Sequence, residues 1–152
     1  MRFKDQVWVT LLAVLLMPLA SAGQKVEQQS VDGLYGLYYG TWGGQEADVA
    51  LVISSDGQPI PRKENDSSAP THPGFYLGER QFEFATSRFS PEAFFFRTKT
   101  VNGTLFSFHG RFAREQIDVI PDVPYLEGEL KEMRNGRVVR RKKVHFSHAV
   151  VL

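Results

Sequence analysis

The chain contains no cysteine among its 152 residues. This absence excludes disulfide bonds, thiolate metal sites, a cysteine nucleophile and a lipid-anchored N-terminal cysteine. The fold must therefore be stabilised by packing alone. For an exported protein, this composition is more typical of the bacterial periplasm or medium than of a small eukaryotic extracellular domain.

Long apolar runs are also missing, except near the N-terminus. A basic start at Arg2 and Lys4 precedes a short apolar run, and small residues at Ala20 and Ala22 occupy the positions that a signal peptidase recognises. The run is shorter than the ~20 apolar residues that span a bilayer, and no second run follows it. We predict a signal peptide over residues 1–22, cleaved after Ala22. The mature protein is then periplasmic or secreted, with no membrane span.

An excess of charge of one sign is missing as well. Removing Arg2, Lys4 and Asp5 with the signal peptide takes the 18 basic and 17 acidic residues to 16 of each. Nucleic-acid-binding domains usually carry a basic excess, so we expect no nucleic-acid partner. Residues 23–152 have the length of one domain, since domains run to ~100–150 residues.

Helical spacing of apolar residues is absent after the signal peptide, whereas short alternating runs rich in Phe, Tyr, Val and Thr recur between turns. The expected strands are 34–42, 47–54, 75–78, 80–86, 93–100, 104–113, 125–133 and 137–149. We predict an all-β fold, an antiparallel meander of about eight strands closed into a small barrel. Closure removes exposed sheet edges. A β-sandwich is the alternative.

Two segments read as long connections. Residues 55–73 contain four prolines and few apolar residues, which predicts a long mobile loop, either a binding lid or a disordered segment. Residues 114–124 include Pro121 and Pro124, which cannot donate to a central strand ladder, so a second irregular connection is expected there.

Two Asn-Gly pairs mark hairpin turns, at Asn102 and at Asn135. A three-residue loop at each turn segregates apolar from polar faces better than a two-residue loop does. It predicts these opposite pairs: Phe96 with Phe108, Leu126 with Val144, Glu127 with Lys143, and Glu129 with Arg141.

The same alternation predicts an aromatic interior. It contains Phe82, Phe84, Phe94, Phe96, Phe106, Phe108, Phe112 and Phe146, with Val49, Leu51, Ile53, Leu126, Leu130 and Val144. An eight-stranded barrel is either filled by side chains or holds one small ligand. We expect these phenylalanines, apart from Phe112, to bind a small apolar or amphipathic ligand. Arg140 and Lys142 would receive its anionic head group; alternatively they extend to water or meet an acidic protein.

Gly40-Thr41-Trp42, in the first strand, resembles the Gly-x-Trp signature of the calycin barrels, the lipocalin and avidin group. The resemblance implies that Trp42 closes one barrel end with a basic residue of a late strand against it, here Arg140 or Arg141. It also implies a binder of a ligand or of a protein. Unlike lipocalins, the chain has no cysteine pair and shows no helix before its last strand.

Catalytic and metal-binding patterns are poor. Ser107 and His109 share the outward face with no acid to orient them, and His145 and His148 point to opposite faces of a regular strand. Glu132 and His148 are the only ionisable residues of catalytic type that the predicted register directs toward the interior. We therefore predict no enzyme activity, no metal site and no cofactor.

Two hypotheses for function remain. The first is a non-enzymatic carrier that holds a small apolar or amphipathic molecule in the barrel. The second is a protein-interaction module, such as an enzyme inhibitor, that binds through the loops 55–73 and 114–124. The tyrosines 35, 38 and 39 alternate over both faces of the first strand, so we expect aromatic rings outside, against a partner or under the N-terminal segment. A cavity of at least ~300 Å³ inside the barrel would favour the carrier.

Overall fold

The computed structural model describes residues 31–61, 67–117 and 120–149. The predicted signal peptide, 1–22, and the middle of the predicted loop, 62–66, lie outside the described residues. Within those ranges, no helix has the length and apolar character needed to cross a membrane.

In the described ranges, nine strands form one antiparallel sheet, preceded by a short 3₁₀ helix at Val31–Leu34. The strands are β1 (Gly36–Gly40), β2 (Val49–Ile53), β3 (Gly74–Leu77), β4 (Arg80–Phe82), β5 (Phe84–Phe89), β6 (Ala93–Thr98), β7 (Thr104–Ile117), β8 (Ile120–Arg134) and β9 (Arg137–His148). The prediction of an all-β antiparallel meander is confirmed, with one strand more than expected.

The sheet closes on itself almost completely. Its order is β4-β3-β2-β1-β9-β8-β7-β6-β5, so the two edge strands, β4 and β5, are consecutive in the chain. Glu83 alone separates them, and its carbonyl accepts a hydrogen bond of 2.8 Å from the backbone N–H of Lys99. One chain segment thus passes from pairing with β3 to pairing with β6. This break explains the ninth strand, and the fold is a nearly closed barrel, not a sandwich.

The barrel seam between β1 and β9 is short. Only two register pairs join these strands, Tyr38 with His148 and Tyr39 with Ser147. A backbone hydrogen bond of 2.7 Å from Ala149 to the carbonyl of Leu37 extends the contact. The pairing of β1 with β9 is therefore shorter than the pairing within any hairpin from β5 to β9.

The expected irregular connection at 114–124 is wrong, because β7 and β8 continue through it. The two strands contain 14 and 15 residues and stay paired as far as Ile117 and Ile120. The pairing of β8 with β9 begins only at Tyr125, so Pro121 and Pro124 lie where β8 has a neighbour on one side. Proline is tolerated at such an edge because no second ladder needs its missing N–H.

The predicted three-residue hairpin loops are also wrong. Asn102 and Gly103 have φ angles of 49° and 75°, and Asn135 and Gly136 have φ angles of 48° and 80°. Left-handed conformation at both central residues is typical of the two-residue type I′ turn, which matches the twist of the flanking strands. Each Asn-Gly pair therefore forms the whole turn.

Beyond each turn, an offset in the strand pairing returns the apolar side chains to the face predicted for them. Phe96 still lies opposite Phe108, as predicted. In the second hairpin a β-bulge shifts the register, so Glu129 lies opposite Lys143, and Leu126 opposite Phe146. The predicted pairing of Leu126 with Val144 is wrong by two residues. Since two residues is the side-chain period of a strand, the inward set is unchanged.

The predicted interior is confirmed as the main core. The residues expected there are buried or packed against it, and Tyr38, Trp42 and Phe75 join them. Their rings contact one another: the centroid distances are 4.7 Å for Phe75 and Phe106, and 5.7 Å for Phe96 and Phe108. The core is a continuous aromatic column.

A second, smaller cluster covers the outside of β2. All five residues of β2 are buried, and Ala50, Val52 and Tyr76 pack with Leu37, Tyr39 and Ile60. Ile60 comes from the predicted loop, and its N–H donates a hydrogen bond of 2.8 Å to the carbonyl of Thr71. The described ends of the loop thus lie against the barrel and cover the outward ring of Tyr39. Mobility of the segment stays a prediction.

A pair of glycines lies where the backbones of the two longest strands approach each other closely. Gly110 lies opposite Gly128 in the β7–β8 register. A Cβ atom on Gly128 would lie 2.2 Å from the carbonyl oxygen of His109 and 2.4 Å from the Cα of Gly110. Both are backbone atoms, so a side-chain rotation cannot relieve the clash and the neighbouring strand itself would have to move.

We expect Gly128→Ala to lower the free energy of unfolding by about 2–3 kcal/mol, as overpacking in a rigid environment does. Gly33→Ala is the matched control, because a Cβ there meets nothing within 4 Å. Urea denaturation of both variants measures the difference. Equal stabilities would contradict the close approach of the strands.

Candidate functional site

Trp42 lies at one end of the barrel, and two cations of β9 hold it there. The guanidinium carbon of Arg140 lies 4.3 Å from the centroid of the buried Trp42 ring, and its Nη2 donates to the Trp42 carbonyl. Lys142 Nζ lies 3.3 Å from the carbonyl oxygens of both Thr41 and Trp42. The contact implied by the Gly-x-Trp resemblance is present, with Arg140 and not Arg141.

Asp48 fixes the same end from the other side. Its carboxylate accepts hydrogen bonds from the backbone N–H groups of Trp42 and Gly43. The Trp42 backbone is thus bound at both its N–H and its carbonyl. Arg140 and Lys142, expected at an anionic head group, bind backbone carbonyls at this barrel end.

The seven phenylalanines expected to bind a ligand belong to one packed core. Phe96 and Phe106 have no accessible surface, and neither has Phe75 between them. A cavity that admitted even water would leave accessible surface on the side chains around it. At these rings the interior is therefore filled by its own side chains.

The opposite barrel end is closed by tyrosines and a histidine. Tyr35 stacks on Phe89 with a centroid distance of 4.8 Å. The Tyr38 hydroxyl donates a hydrogen bond of 2.7 Å to the Leu34 carbonyl, and burial raises the pKa of that hydroxyl. His148 packs edge-on to Tyr38, and its Nε2 lies 3.2 Å from the Tyr35 carbonyl oxygen.

The interior groups that an enzyme would need are far apart. Glu132 is buried and forms an ion pair of 2.7 Å with Arg134, close to the β8–β9 turn. Glu132 lies opposite Arg140, eight positions before His148 on β9, which is about 25 Å along a strand. The structure does not bring the acid and the histidine together.

An open groove on the outside of the barrel is lined by ionisable groups from several strands. We call this surface, across β6 to β9, the outer groove. Its volume is about 540 Å³, and Gly110 and Gly128 form part of its floor. Its ionisable residues are His109, Glu129 and Lys143 in one cross-strand row, and Arg111, Glu127 and His145 in the next.

The two rows differ in how far their charges are paired. Arg111 and Glu127 form an ion pair of 3.1 Å, so the predicted pairing of Glu127 with Lys143 is wrong. Arg141 approaches Glu129 diagonally at 3.7 Å, which keeps that predicted ion pair despite the shifted register. Among the described residues, Lys143 has no acidic partner within 4 Å.

Histidine contacts in this region do not form a metal site. His145 stacks on Tyr125 with a centroid distance of 4.5 Å, and its Nε2 lies 3.7 Å from the Glu115 carboxylate. In the described part of the chain, no group of three or more His, Asp or Glu side chains could hold a metal ion.

Comparison with known proteins finds no match for this chain among family models, curated proteins or solved structures. The geometry of the described residues therefore carries the functional argument.

We expect Arg140→Gln to lower the free energy of unfolding by about 1–2 kcal/mol, because it removes a cation–π contact and a charged hydrogen bond. It should also shift the fluorescence emission of Trp42. Arg141→Gln is the control with the same charge change, and its exposed ion pair contributes about 0.5 kcal/mol or less. Equal effects of the two substitutions would contradict a closing role for Arg140.

The protein should lose stability in mild acid through His148. Burial lowers the pKa of its imidazole below the ordinary value of 6.5, so the unfolded chain takes up a proton before the native protein does. The stabilisation is fully present above pH 6.5 and is lost as the pH falls toward the folded pKa. Urea midpoints between pH 7.5 and pH 5 measure it. His148→Gln should reduce the dependence of the urea midpoint on pH, whereas His72→Gln, at an exposed position, should not. The reverse result would show that His148 is not the group responsible.

Proposed function

We propose that this chain is a non-enzymatic, exported binding protein that binds a protein partner in the outer groove. The observation that carries the proposal is the filled interior, because Phe75, Phe96 and Phe106 have no accessible surface while the concave surface lies outside. A binding function then has to use the outside of the barrel.

The carrier hypothesis requires space that the aromatic column occupies. A lipophilic ligand would have to separate rings that now lie 4.7 to 5.7 Å apart between centroids, such as those of Phe75 and Phe106 or Phe75 and Phe96. Each aromatic pair contributes about 0.5–1.5 kcal/mol beyond the burial of its surface, so opening the column is costly. The ligand role of the interior phenylalanines stays a prediction, and the geometry favours the protein-interaction hypothesis.

The chemistry of the outer groove suits a polar polypeptide segment. Its rows carry both signs of charge, and Lys143 has no ion-pair partner within the described residues. Next to the groove, Tyr125 presents a ring stacked on His145. Charges of both signs fix the register of a bound segment, and an aromatic ring supplies contact area at low entropic cost.

The calycin resemblance supports the same class of function. The contact of Arg140 with Trp42 and the nearly closed meander are both compatible with a calycin-like barrel. That resemblance implies binding of a ligand or of a protein and transfers no binding residue to this chain. The residues of the outer groove come from this structure alone.

Site-specific photocrosslinking in the exporting host tests the proposal. A photoreactive phenylalanine analogue at position 109, in the outer groove, should capture a protein partner. The same analogue at exposed Gln81 in β4, on the other side of the barrel, should not. Lys143→Glu should reduce the yield at position 109 about fivefold, whereas Arg80→Glu should leave it unchanged. Equal yields at positions 109 and 81 would remove the outer groove from the function.

Native mass spectrometry of the exported protein distinguishes the carrier. Spectra before and after organic extraction should show the same mass, because the aromatic rings leave no room for a ligand beside them. A small molecule that is released by extraction would contradict the proposal and restore the carrier hypothesis.

A further inference from the structure

The end of the β8–β9 hairpin concentrates positive charge. Residues 129–143, which we call the basic tip, contain seven basic and two acidic residues, a local charge of +5 in a chain whose total formal charge is +1. Both acids already have partners: Glu132 pairs with Arg134, and Glu129 pairs with Lys131 and Arg141. The tip therefore carries a surplus of cations that its own carboxylates do not neutralise.

The same tip exposes the two large aliphatic side chains that stand out on the described surface. Val138 is 46% exposed and Val139 is 53% exposed. Val138 lies opposite Met133, while the bulge leaves Val139 without a register partner. An unpaired residue in a bulge bends the strand and re-aims its side chains. Two aliphatic groups thus lie at the turn of a hairpin surrounded by cations.

We propose that the basic tip docks onto an anionic phospholipid surface, with Val138 and Val139 entering the head-group region. Basic residues near such a surface gain from its negative potential, and small apolar groups add affinity by leaving water. Long Arg and Lys stems reach phosphate groups while their neighbours remain at the interface. The basic tip shares Glu129 and Lys143 with the outer groove, so its test changes other residues of the tip.

A lipid surface fits the tip better than an acidic protein does. A stable protein interface buries about 800 Å² on each partner around a packed core. The tip ends in the two-residue turn Asn135-Gly136, beside the turn Asn102-Gly103, to which Asn135 is joined by a backbone hydrogen bond of 2.9 Å. Two narrow turns offer little flat area, whereas a fluid head-group layer adapts to their shape.

Vesicle flotation tests this proposal with the protein recovered from its exporting host. Vesicles of phosphatidylcholine with about 30% phosphatidylglycerol should bind it, and pure phosphatidylcholine should not. Raising the salt from about 0.05 M to about 0.5 M should release it, because the attraction is screened. All variants have the same N-terminal sequence, so a difference in vesicle binding between them comes from the substituted residues.

Two double variants separate charge from insertion. Arg137→Gln with Arg141→Gln should weaken the partition coefficient about 25-fold, since each basic residue contributes about fivefold near an anionic surface. Val138→Ser with Val139→Ser should weaken it about tenfold with no change in charge. The control is Arg88→Gln with Arg97→Gln, which removes the same charge from exposed positions of β5 and β6.

Several outcomes would overturn the proposal. Equal binding to both kinds of vesicle, or equal losses in the tip and control variants, would show that the tip does not direct binding. An unchanged partition coefficient for the valine variant would remove insertion. Binding of polyglutamate but not of vesicles would assign the tip to an acidic protein instead. Circular dichroism and urea midpoints confirm that each variant is folded.

Discussion

Burial of a continuous column of aromatic rings is the interaction on which this barrel depends. No disulfide can hold the strands together, because the chain has no cysteine. Phe75 contacts the rings of Phe96 and Phe106, and Phe96 contacts Phe108, so strands distant in sequence share one core. Truncating a buried phenylalanine to alanine lowers the free energy of unfolding by about 3–5 kcal/mol. That is a large part of the net stability of a small domain.

The column also decides what the molecule can do. Rings that expose no surface leave no open space beside them inside the barrel, which is why we propose recognition on its outside. Arg140 and Lys142 illustrate the change of role, since they bind the backbone of Thr41 and Trp42 at the barrel end. The outer groove carries charges of both signs and the basic tip is mainly positive; the two surfaces adjoin and share Glu129 and Lys143.

Face assignment could be predicted from the sequence, but turn geometry could not. Alternation of apolar residues placed Phe96, Phe106 and Phe108 inside, because a strand repeats every two residues. The loop lengths were wrong, since Asn-Gly fits two kinds of turn and a bulge near Glu132 absorbs the offset. The outer groove was missed because its floor depends on Gly110 facing Gly128, a pairing visible only once the register is known. Contacts of Ile60 were missed because nothing local in a proline-rich segment predicts packing on β2.

The seam between the first and last strands has a consequence for how the molecule forms. Tyr38 pairs with His148, 110 positions later in the chain. Such distant pairing gives a high contact order, and closing so large a loop costs entropy before the pairing repays it. The ring is complete only after β9 has left the ribosome. A chain that still lacks β9 would therefore remain an open sheet, and the barrel would close only when that strand arrives.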